Sequence, residues 1–268
     1  MSAYSIAQSI FSYLEDLLRR FRNNLGIFLA LYFQAWIVWF RLTKGQRVIF
    51  RRRLVEQIHF SAVQLLSPVL ILGMLFGAVV ILQVFTNFPD LGAESLIGRI
   101  YGVVILNEIV YMLTTFIMVA RNTVTITQNI AEMRVNGEFD MMLAMGIDPS
   151  VVLFTPRLWG IQIAMIGLNT FFGFAILAGS AGSAVLMSAV RYGELLEGFF
   201  TGLSLIDIAV MFARVYFLSL GIVLIPIVEA LKMKPMVGEI ANATATALTR
   251  TILYIAFVNI FITVFIYL

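Results

Sequence analysis

The chain has 268 residues, of which 61% are hydrophobic and only 12% are charged, and its mean hydropathy is +0.97. Soluble domains carry about one charged residue in four, so the composition excludes an ordinary soluble enzyme or binding module. The net charge of +3 does not indicate nucleic-acid binding, because the basic residues stand beside apolar runs, and the absence of cysteine from the sequence excludes a disulfide framework.

The first apolar run, residues 25–40, is uncharged but shorter than the ~20 residues that a membrane span needs. Basic residues flank both of its ends, and its Trp36 and Trp39 are typical of the headgroup boundary. We therefore predict an interfacial elbow helix within an N-terminal cytoplasmic and interfacial region of residues 1–60. A short first span is the alternative.

Five longer apolar runs follow and predict an all-α, polytopic membrane domain over residues 61–268. The predicted spans cover residues 62–85, 101–122, 158–182, 207–230 and 249–268. With the N-terminus in the cytoplasm, only Arg99 and Arg191 fall in outer loops and only Arg214 falls inside a span, whereas the other fifteen of the eighteen basic residues fall on the cytoplasmic side. This asymmetry predicts a cytoplasmic N-terminus and an external, periplasmic C-terminus.

The loop between the second and third spans, NGEFDMMLAMGIDP (136–149), is polar and has the signals of a short helix near residues 136–146. Asn136 is a favourable N-cap, and Gly146 suits the left-handed residue after the last turn. So short a helix is not stable alone in water, so it must dock. It is either a connector on the membrane surface or a plug in a groove of a cytosolic partner. The candidate docking residues are the two acids near its start and the apolar residues that share one face, namely Glu138, Asp140, Phe139, Met142 and Leu143.

Three polar residues, Glu108, Arg214 and Asn259, fall inside the spans, each about 10–13 Å from the predicted outer end of its span. Inserting an ionisable group costs a few kcal/mol, so such groups normally face a partner or a water-filled cavity. They are either a structural ion pair that ties two spans together or the polar lining of a lipid-headgroup cavity open toward the periplasm. Both interpretations require contact between Glu108 and Arg214.

The sequence does not indicate enzyme chemistry. No span carries a Ser/His or paired-Asp arrangement or a metal-ligand cluster, so we expect no catalytic residue, metal site or cofactor. The sequence also lacks a Gly-Lys dipeptide and therefore a phosphate-binding P-loop. Transport driven by ATP would need an ATPase on another polypeptide.

The loop after the second span and the start of the third carry a specific pattern of residues. It consists of Met133-Arg134-Val135, Asp140, Met145-Gly146-Ile147-Asp148-Pro149, Leu153 and Pro156-Arg157. This pattern resembles the signature of MlaE/YrbE-type permeases, the membrane subunits of ABC transporters that work with MCE-domain proteins. Gly77 and Gln83 resemble the family's first span, and Glu108 and Arg121 its second. The resemblance covers roughly residues 50–265.

The resemblance implies an elbow helix, five spans and a cytoplasmic coupling helix that seats in an ATPase. It also implies a bacterial inner-membrane complex with a second permease copy, a cytosolic ABC ATPase dimer, a periplasmic MCE-domain assembly and, in some systems, a small cytosolic accessory subunit. The substrate it implies is phospholipid, moved between the inner and outer membranes. The rival hypothesis from another class is a membrane scaffold without transport activity or a passive lipid scramblase.

Several residues depart from the family's pattern and identify a divergent member. They are Asn107, Val110, Tyr111, Asn122, Thr123, Thr125, Asn129, Gly137 and Asn259. The departures leave open whether the second permease copy is identical, giving a homodimer, or different, giving a heterodimer. Asn107 and Asn259 stand with Glu108 and Arg214 as the candidate substrate-cavity residues.

Overall fold

The computed structural model describes residues 26–40, 42–87, 108–186 and 205–267, and these ranges are helical apart from short turns. The elements in chain order are α1 (Gly26–Phe40), α2 (Lys44–Ile58), π1 (His59–Val63), α3 (Gln64–Asn87), α4 (Val110–Met118), π2 (Val119–Thr123), α5 (Val124–Val135), α6 (Glu138–Ala144), π3 (Ser150–Phe154), α7 (Thr155–Leu186), α8 (Leu205–Lys232) and α9 (Glu239–Tyr267). The segments π1, π2 and π3 are π-helical and continue directly into the α-helices beside them. The all-α class is confirmed.

Four helices among the described residues are long and apolar enough to cross a membrane. They are Lys44–Gln83, Ser150–Leu186, Ala209–Lys232 and Glu239–Phe265, and they cover most of the predicted first, third, fourth and fifth spans. The start of the predicted second span, residues 101–107, lies outside the described residues, and its remainder forms α4 and π2. The polytopic membrane class is therefore confirmed, whereas the count of five spans stays a prediction.

The helices begin earlier than the apolar runs do. α2 starts at Lys44, where the side-chain oxygen of Gln46 accepts a 3.1 Å hydrogen bond from the backbone nitrogen of Thr43. Further along α2, Glu56 pairs with Arg52 and Arg53 at 3.1 and 3.2 Å, in the i,i+4 and i,i+3 spacings that stabilise an exposed helix. The first membrane helix therefore extends well beyond its apolar segment.

α1 packs on the bundle through its aromatic residues. The Trp36 and Trp39 rings lie 5.2 and 4.9 Å from the Trp159 ring, between centroids, and the Phe28 ring lies 6.3 Å from Tyr254. At 1.5 Å per residue α1 is about 22 Å long, less than the ~30 Å hydrocarbon core of a bilayer. Its interfacial position stays a prediction that this length favours.

α3 and α7 approach each other backbone to backbone. A Cβ atom on Gly77 would lie 2.1 Å from the Ile176 carbonyl oxygen, and one on Gly179 would lie 2.0 Å from the Met74 carbonyl oxygen. Small residues at such a crossing are how helices associate closely in membranes. Gly179, in the small-residue end of the third apolar run, is therefore closely packed against α3, within one helix that continues to Leu186.

Burial differs strongly between α8 and α9. In their most apolar stretches, 61% of the α8 span is buried inside the chain but only 11% of the α9 span. α8 is thus a central helix, whereas most of the apolar surface of α9 faces outward.

Candidate functional site

The structure brings together the two charged residues that sequence analysis placed inside spans. Glu108 lies just before α4 and Arg214 lies on α8, and the Arg214 Nη2 atom donates a 2.7 Å hydrogen bond to the Glu108 Oε1 atom. The side chain of Arg214 is 1% exposed and that of Glu108 is 28% exposed. The contact that both interpretations require is present.

Thr263 on α9 completes this cluster. Its hydroxyl accepts a 2.9 Å hydrogen bond from Arg214 Nη2 and lies 3.2 Å from both carboxylate oxygens of Glu108. The ring of Tyr111 adds a cation–π contact, with its centroid 5.6 Å from the guanidinium carbon of Arg214. Sequence analysis assigned no site role to Thr263 or Tyr111. Thr263 follows Asn259 by four residues, which places both on one helix face and is the signal that could have found it.

The cluster is electrically neutral and joins three helices. Because Arg214 is fully buried, the carboxylate of Glu108 offsets the cost of burying its charge. Glu108 is partly exposed, and a carboxylate has about four acceptor positions, so it retains capacity to accept a hydrogen bond from an ammonium or hydroxyl group. The arrangement can both tie helices together and offer a polar contact to a headgroup.

Of the two asparagines predicted for this site, Asn259 is among the described residues and Asn107 is not. Asn259 is half-buried on α9, and its Oδ1 atom is buried without a hydrogen-bond partner among the described residues. Asn107 lies outside the described residues, so its assignment to a substrate cavity stays a prediction.

The short helix predicted near residues 136–146 is α6, but its start differs from the prediction. Asn136 is not its N-cap, because α5 continues to Val135 and Asn136 closes that helix, donating from its backbone nitrogen to the Glu132 carbonyl at 2.9 Å. The chain then reverses at Gly137, whose φ of 71° is left-handed and suits glycine. Gly137, one of the departures from the family's pattern, is therefore the residue that sets the start of α6.

The end of α6 matches the expectation for Gly146, whose φ is 72°. The backbone nitrogen of Ile147 donates to the Met142 carbonyl at 2.9 Å, and that of Gly146 donates to the Leu143 carbonyl at 3.0 Å. These are the two hydrogen bonds of a Schellman motif, which satisfies the last carbonyls of a helix.

The apolar residues of α6 do not form one exposed face. Phe139 and Met142 are half-buried against the core of the chain, and the Phe139 ring lies 6.3 Å from that of Phe154. Leu143 is 62% exposed. Of the two acids, Asp140 is exposed and Glu138 is half-buried. The exposed surface of α6 therefore includes Leu143 and Asp140, while Phe139 and Met142 pack the helix on its own bundle.

These features define a polytopic membrane protein with an ion pair inside its helical bundle and an acidic helix on its surface. The family model described as Permease MlaE matches residues 54–265, and the chain belongs to this permease family. The resemblance found in the sequence is confirmed over nearly the range expected.

Two curated relatives were compared with the chain. It is 29% identical over 119 residues to the intermembrane phospholipid transport system permease protein MlaE of Haemophilus influenzae, covering 44% of this chain and 46% of that protein. It is 27% identical over 168 residues to a probable ABC transporter permease protein of Synechocystis, covering 60% of this chain and 63% of that protein. The chain thus matches between about half and two-thirds of the length of these relatives. Family membership supports a permease role.

Proposed function

We propose that this chain is the permease subunit of an ABC transporter that moves phospholipid between the bacterial inner membrane and a periplasmic MCE-domain assembly. A separate cytosolic ATPase dimer hydrolyses the ATP, with a small accessory subunit as a further candidate partner. The names of the relatives support this, since one is named for intermembrane phospholipid transport and the other as an ABC transporter permease.

The observation that carries the proposal is the Glu108–Arg214–Thr263 cluster inside the bundle of a permease-family chain. Ionisable residues within membrane helices are rare and mark substrate pathways in transporters. In the proposed mechanism the partly exposed carboxylate of Glu108 contacts the polar headgroup, while the acyl chains lie against the apolar helices. Asn107 and Asn259 extend the polar lining.

Energy coupling is assigned in this proposal to α6. Its exposed Leu143 inserts into a groove of the ATPase, and its acids Glu138 and Asp140 complement basic residues there. Phe139 and Met142 act from within the permease, because they link α6 to its own core. Movement of the ATPase is thereby transmitted to the membrane helices.

The outward apolar face of α9 supports a second permease copy as a partner. Phe257 and Phe261 on this helix are 69% and 62% exposed, and their rings stack with centroids 6.3 Å apart. We propose a homodimer, with a heterodimer as the alternative left by the divergent residues.

The direct test is purification of the tagged chain from its native host, with mass spectrometry of the proteins that copurify. We expect an ABC ATPase whose turnover rises on complex formation, and ATP-dependent transfer of fluorescent phospholipid from reconstituted vesicles to an acceptor. A complex without an ATPase would favour the scaffold. Lipid movement that is independent of ATP would favour the scramblase.

The proposed orientation, with a cytoplasmic N-terminus and a periplasmic C-terminus, has its own test. A C-terminal alkaline phosphatase fusion should be active, and a fluorescent protein that matures only in the cytosol should stay dark at the same position. The opposite result would mean that residues 25–40 cross the membrane or that a later span is miscounted.

A further inference from the structure

A cavity of about 230 Å³ lies between α2, α5 and the start of α7. The π-helical segments π1, π2 and π3 each supply part of its wall: Phe60 belongs to π1, Asn122 to π2 and Leu153 to π3. π-helical turns account for well under 1% of residues in proteins and are found frequently at functional sites. Three of them around one cavity indicate a built site and not a packing gap.

A chain of hydrogen bonds holds this wall in place. Gln57 Nε2 donates to Ser61 Oγ at 2.8 Å, and Ser61 Oγ donates to Asn122 Oδ1 at 2.6 Å. Asn122 Nδ2 in turn donates to the Met118 carbonyl at 3.2 Å. Ser61 and Asn122 are fully buried. The relay therefore connects π1 to π2 and fixes the shape of the cavity.

The cavity carries an excess of positive charge. Within the part of the chain that the structure describes, Arg53 and Arg157 line it together with one carboxylate, that of Glu56. That carboxylate is shared, because one oxygen accepts from Arg52 Nε at 3.1 Å and the other from Arg53 Nη1 at 3.2 Å. The charge of Arg157 therefore has no carboxylate of its own in this wall.

Arg157 also has an unmet hydrogen-bonding need. It is half-buried, and its Nη1 atom is buried without an acceptor among the residues that the structure describes. Leaving a buried donor without an acceptor destabilises the fold, and the cost is larger for a charged group. An anion in the cavity would supply both the charge and the acceptor.

We propose that this cavity, the π-turn cavity, binds a phosphate-class oxyanion through Arg157 and Arg53, with the side-chain amide of Asn129 as a further donor. Guanidinium groups recognise phosphate oxygens in a planar, two-pronged geometry. The cavity is several times larger than the ~30 Å³ share of one water molecule, so it has room for a phosphate group.

Two sources supply this chemistry: the headgroup of an anionic phospholipid and free inorganic phosphate. Basic pockets between membrane helices at the membrane surface are typical sites for anionic headgroups. The π-turn cavity is separate from the Glu108 cluster, because the helix rises about 21 Å between Glu108 and Asn122 at 1.5 Å per residue. The inference goes beyond the proposed transport function and does not depend on it.

The test uses the full chain purified in dodecylmaltoside, a detergent without phosphate. In one arm inorganic phosphate is titrated by calorimetry at constant ionic strength. In the other arm native mass spectrometry measures the binding of phosphatidylglycerol, with a glycosyl diacylglycerol of the same acyl chains as the phosphate-less comparison. Each arm is repeated with Arg157→Gln, with Asn129→Asp, and with the control Lys234→Gln.

Arg157→Gln removes one of the two cationic ligands, and Asn129→Asp places a competing carboxylate in the same cavity. Each should weaken binding ~tenfold or more, the effect expected for one charged hydrogen bond. Lys234 is exposed, lies outside the cavity and loses the same charge, so its variant should bind like the wild type. If these two variants weaken only lipid binding, the ligand is a headgroup, and if they weaken only phosphate binding, it is the free ion. Weaker binding of both ligands supports the shared chemistry.

The proposal is overturned if neither ligand binds saturably, or if both bind Asn129→Asp as tightly as the wild type. Asn129 is exposed, so this variant keeps the test decisive even where Arg157→Gln fails to fold. Lipid transfer is not a readout here, so failure of this inference and failure of the transport proposal remain distinguishable.

Discussion

The Glu108–Arg214–Thr263 cluster and the π-turn cavity each contain an arginine that is removed from water, but the two arginines differ in their charge partners. Arg214 is 1% exposed and meets Glu108 at 2.7 Å, with the hydroxyl of Thr263 between them. Arg157 lines a cavity where, among the described residues, Glu56 is the only lining carboxylate and is already shared by two other arginines. The first cluster is neutral, and the second carries excess positive charge.

This difference has a physical consequence. A charge paired within the chain stabilises the fold, and removing its partner is costly because burial of the remaining charge is no longer compensated. A charge whose need for an acceptor is unmet destabilises the fold until a ligand binds. Substitutions should therefore destabilise the first region and weaken ligand binding in the second.

The largest effect is expected at the ion pair. Glu108→Ala removes the carboxylate that neutralises the buried Arg214 and should lower the free energy of unfolding by about 3–5 kcal/mol. Arg214→Ala should cost less, because the Glu108 side chain that remains is 28% exposed and can be solvated. The double variant should be more stable than Glu108→Ala alone. Denaturation of the purified protein in detergent measures all three.

The same variants separate the two roles of the cluster. If the pair is only structural, the double variant should regain both stability and lipid transfer. If it lines a headgroup cavity, the double variant should regain stability but still transfer lipid poorly. Strictly additive stability losses would show that the two residues are not energetically coupled and would remove the basis for one site.

A smaller effect is expected where α3 meets α7. Gly77→Ala puts a methyl group 2.1 Å from a backbone oxygen and should cost about 1–3 kcal/mol as the helices separate. The matched control is Gly167→Ala on α7, where a Cβ atom meets nothing within 4 Å and the helix should gain up to ~1 kcal/mol.

The Gly77 variant also distinguishes the two regions. α3 follows π1 and α7 follows π3, so separating them should loosen the π-turn cavity and weaken phosphate binding. The Glu108 cluster involves α8 and α9 and should keep its coupling energy in a double-variant cycle. Loss of both phosphate binding and the Glu108–Arg214 coupling energy would show that the two regions are structurally coupled.

The next effect tests how α6 is joined to the π-turn cavity. Phe139 packs on Phe154, the last residue of π3, so Phe139→Ala should cost about 1–2 kcal/mol and also weaken phosphate binding. Leu143→Asp, at an exposed position, should leave stability and phosphate binding unchanged but abolish ATPase copurification. Retention of a full complement of ATPase by Leu143→Asp would reject α6 as the docking helix.

The sequence predicts the class of the fold and the centres of the membrane helices well, because both depend on hydropathy. It does not predict where the first membrane helix begins, since the polar residues from Lys44 onward continue the helix through local pairs such as Arg52–Glu56. It also does not predict the reversal at Gly137, because α5 extends to Val135 and Asn136 becomes its C-cap and not the N-cap of α6.

The Glu108–Arg214 contact is predictable because two isolated charges in membrane helices require a partner. Thr263 is predictable only from its place four residues after Asn259, since a threonine in a helix can otherwise satisfy its own hydroxyl, as Thr251 does on the Ala247 carbonyl at 2.8 Å. The π-turn cavity has no sequence signal, because π-helical turns interrupt the 3.6-residue period and Arg157 resembles an ordinary basic flank of a span.

The smallest effect at the two sites is expected from Asn129→Asp, which should raise the stability of the chain. A carboxylate at this position supplies Arg157 with the acceptor and charge that it lacks, so the variant should be more stable than the wild type. A hydrogen bond to a charged group contributes about 1.5–3 kcal/mol, and partial desolvation of the new carboxylate reduces the net gain to ~1 kcal/mol. Added phosphate should raise the melting temperature of the wild type but not of the variant, since the new carboxylate is already paired with Arg157. Asn129→Leu, similar in size but uncharged, should show no gain. A variant that is less stable than the wild type, yet still stabilised by phosphate, would mean that Arg157 does not govern the charge of this cavity.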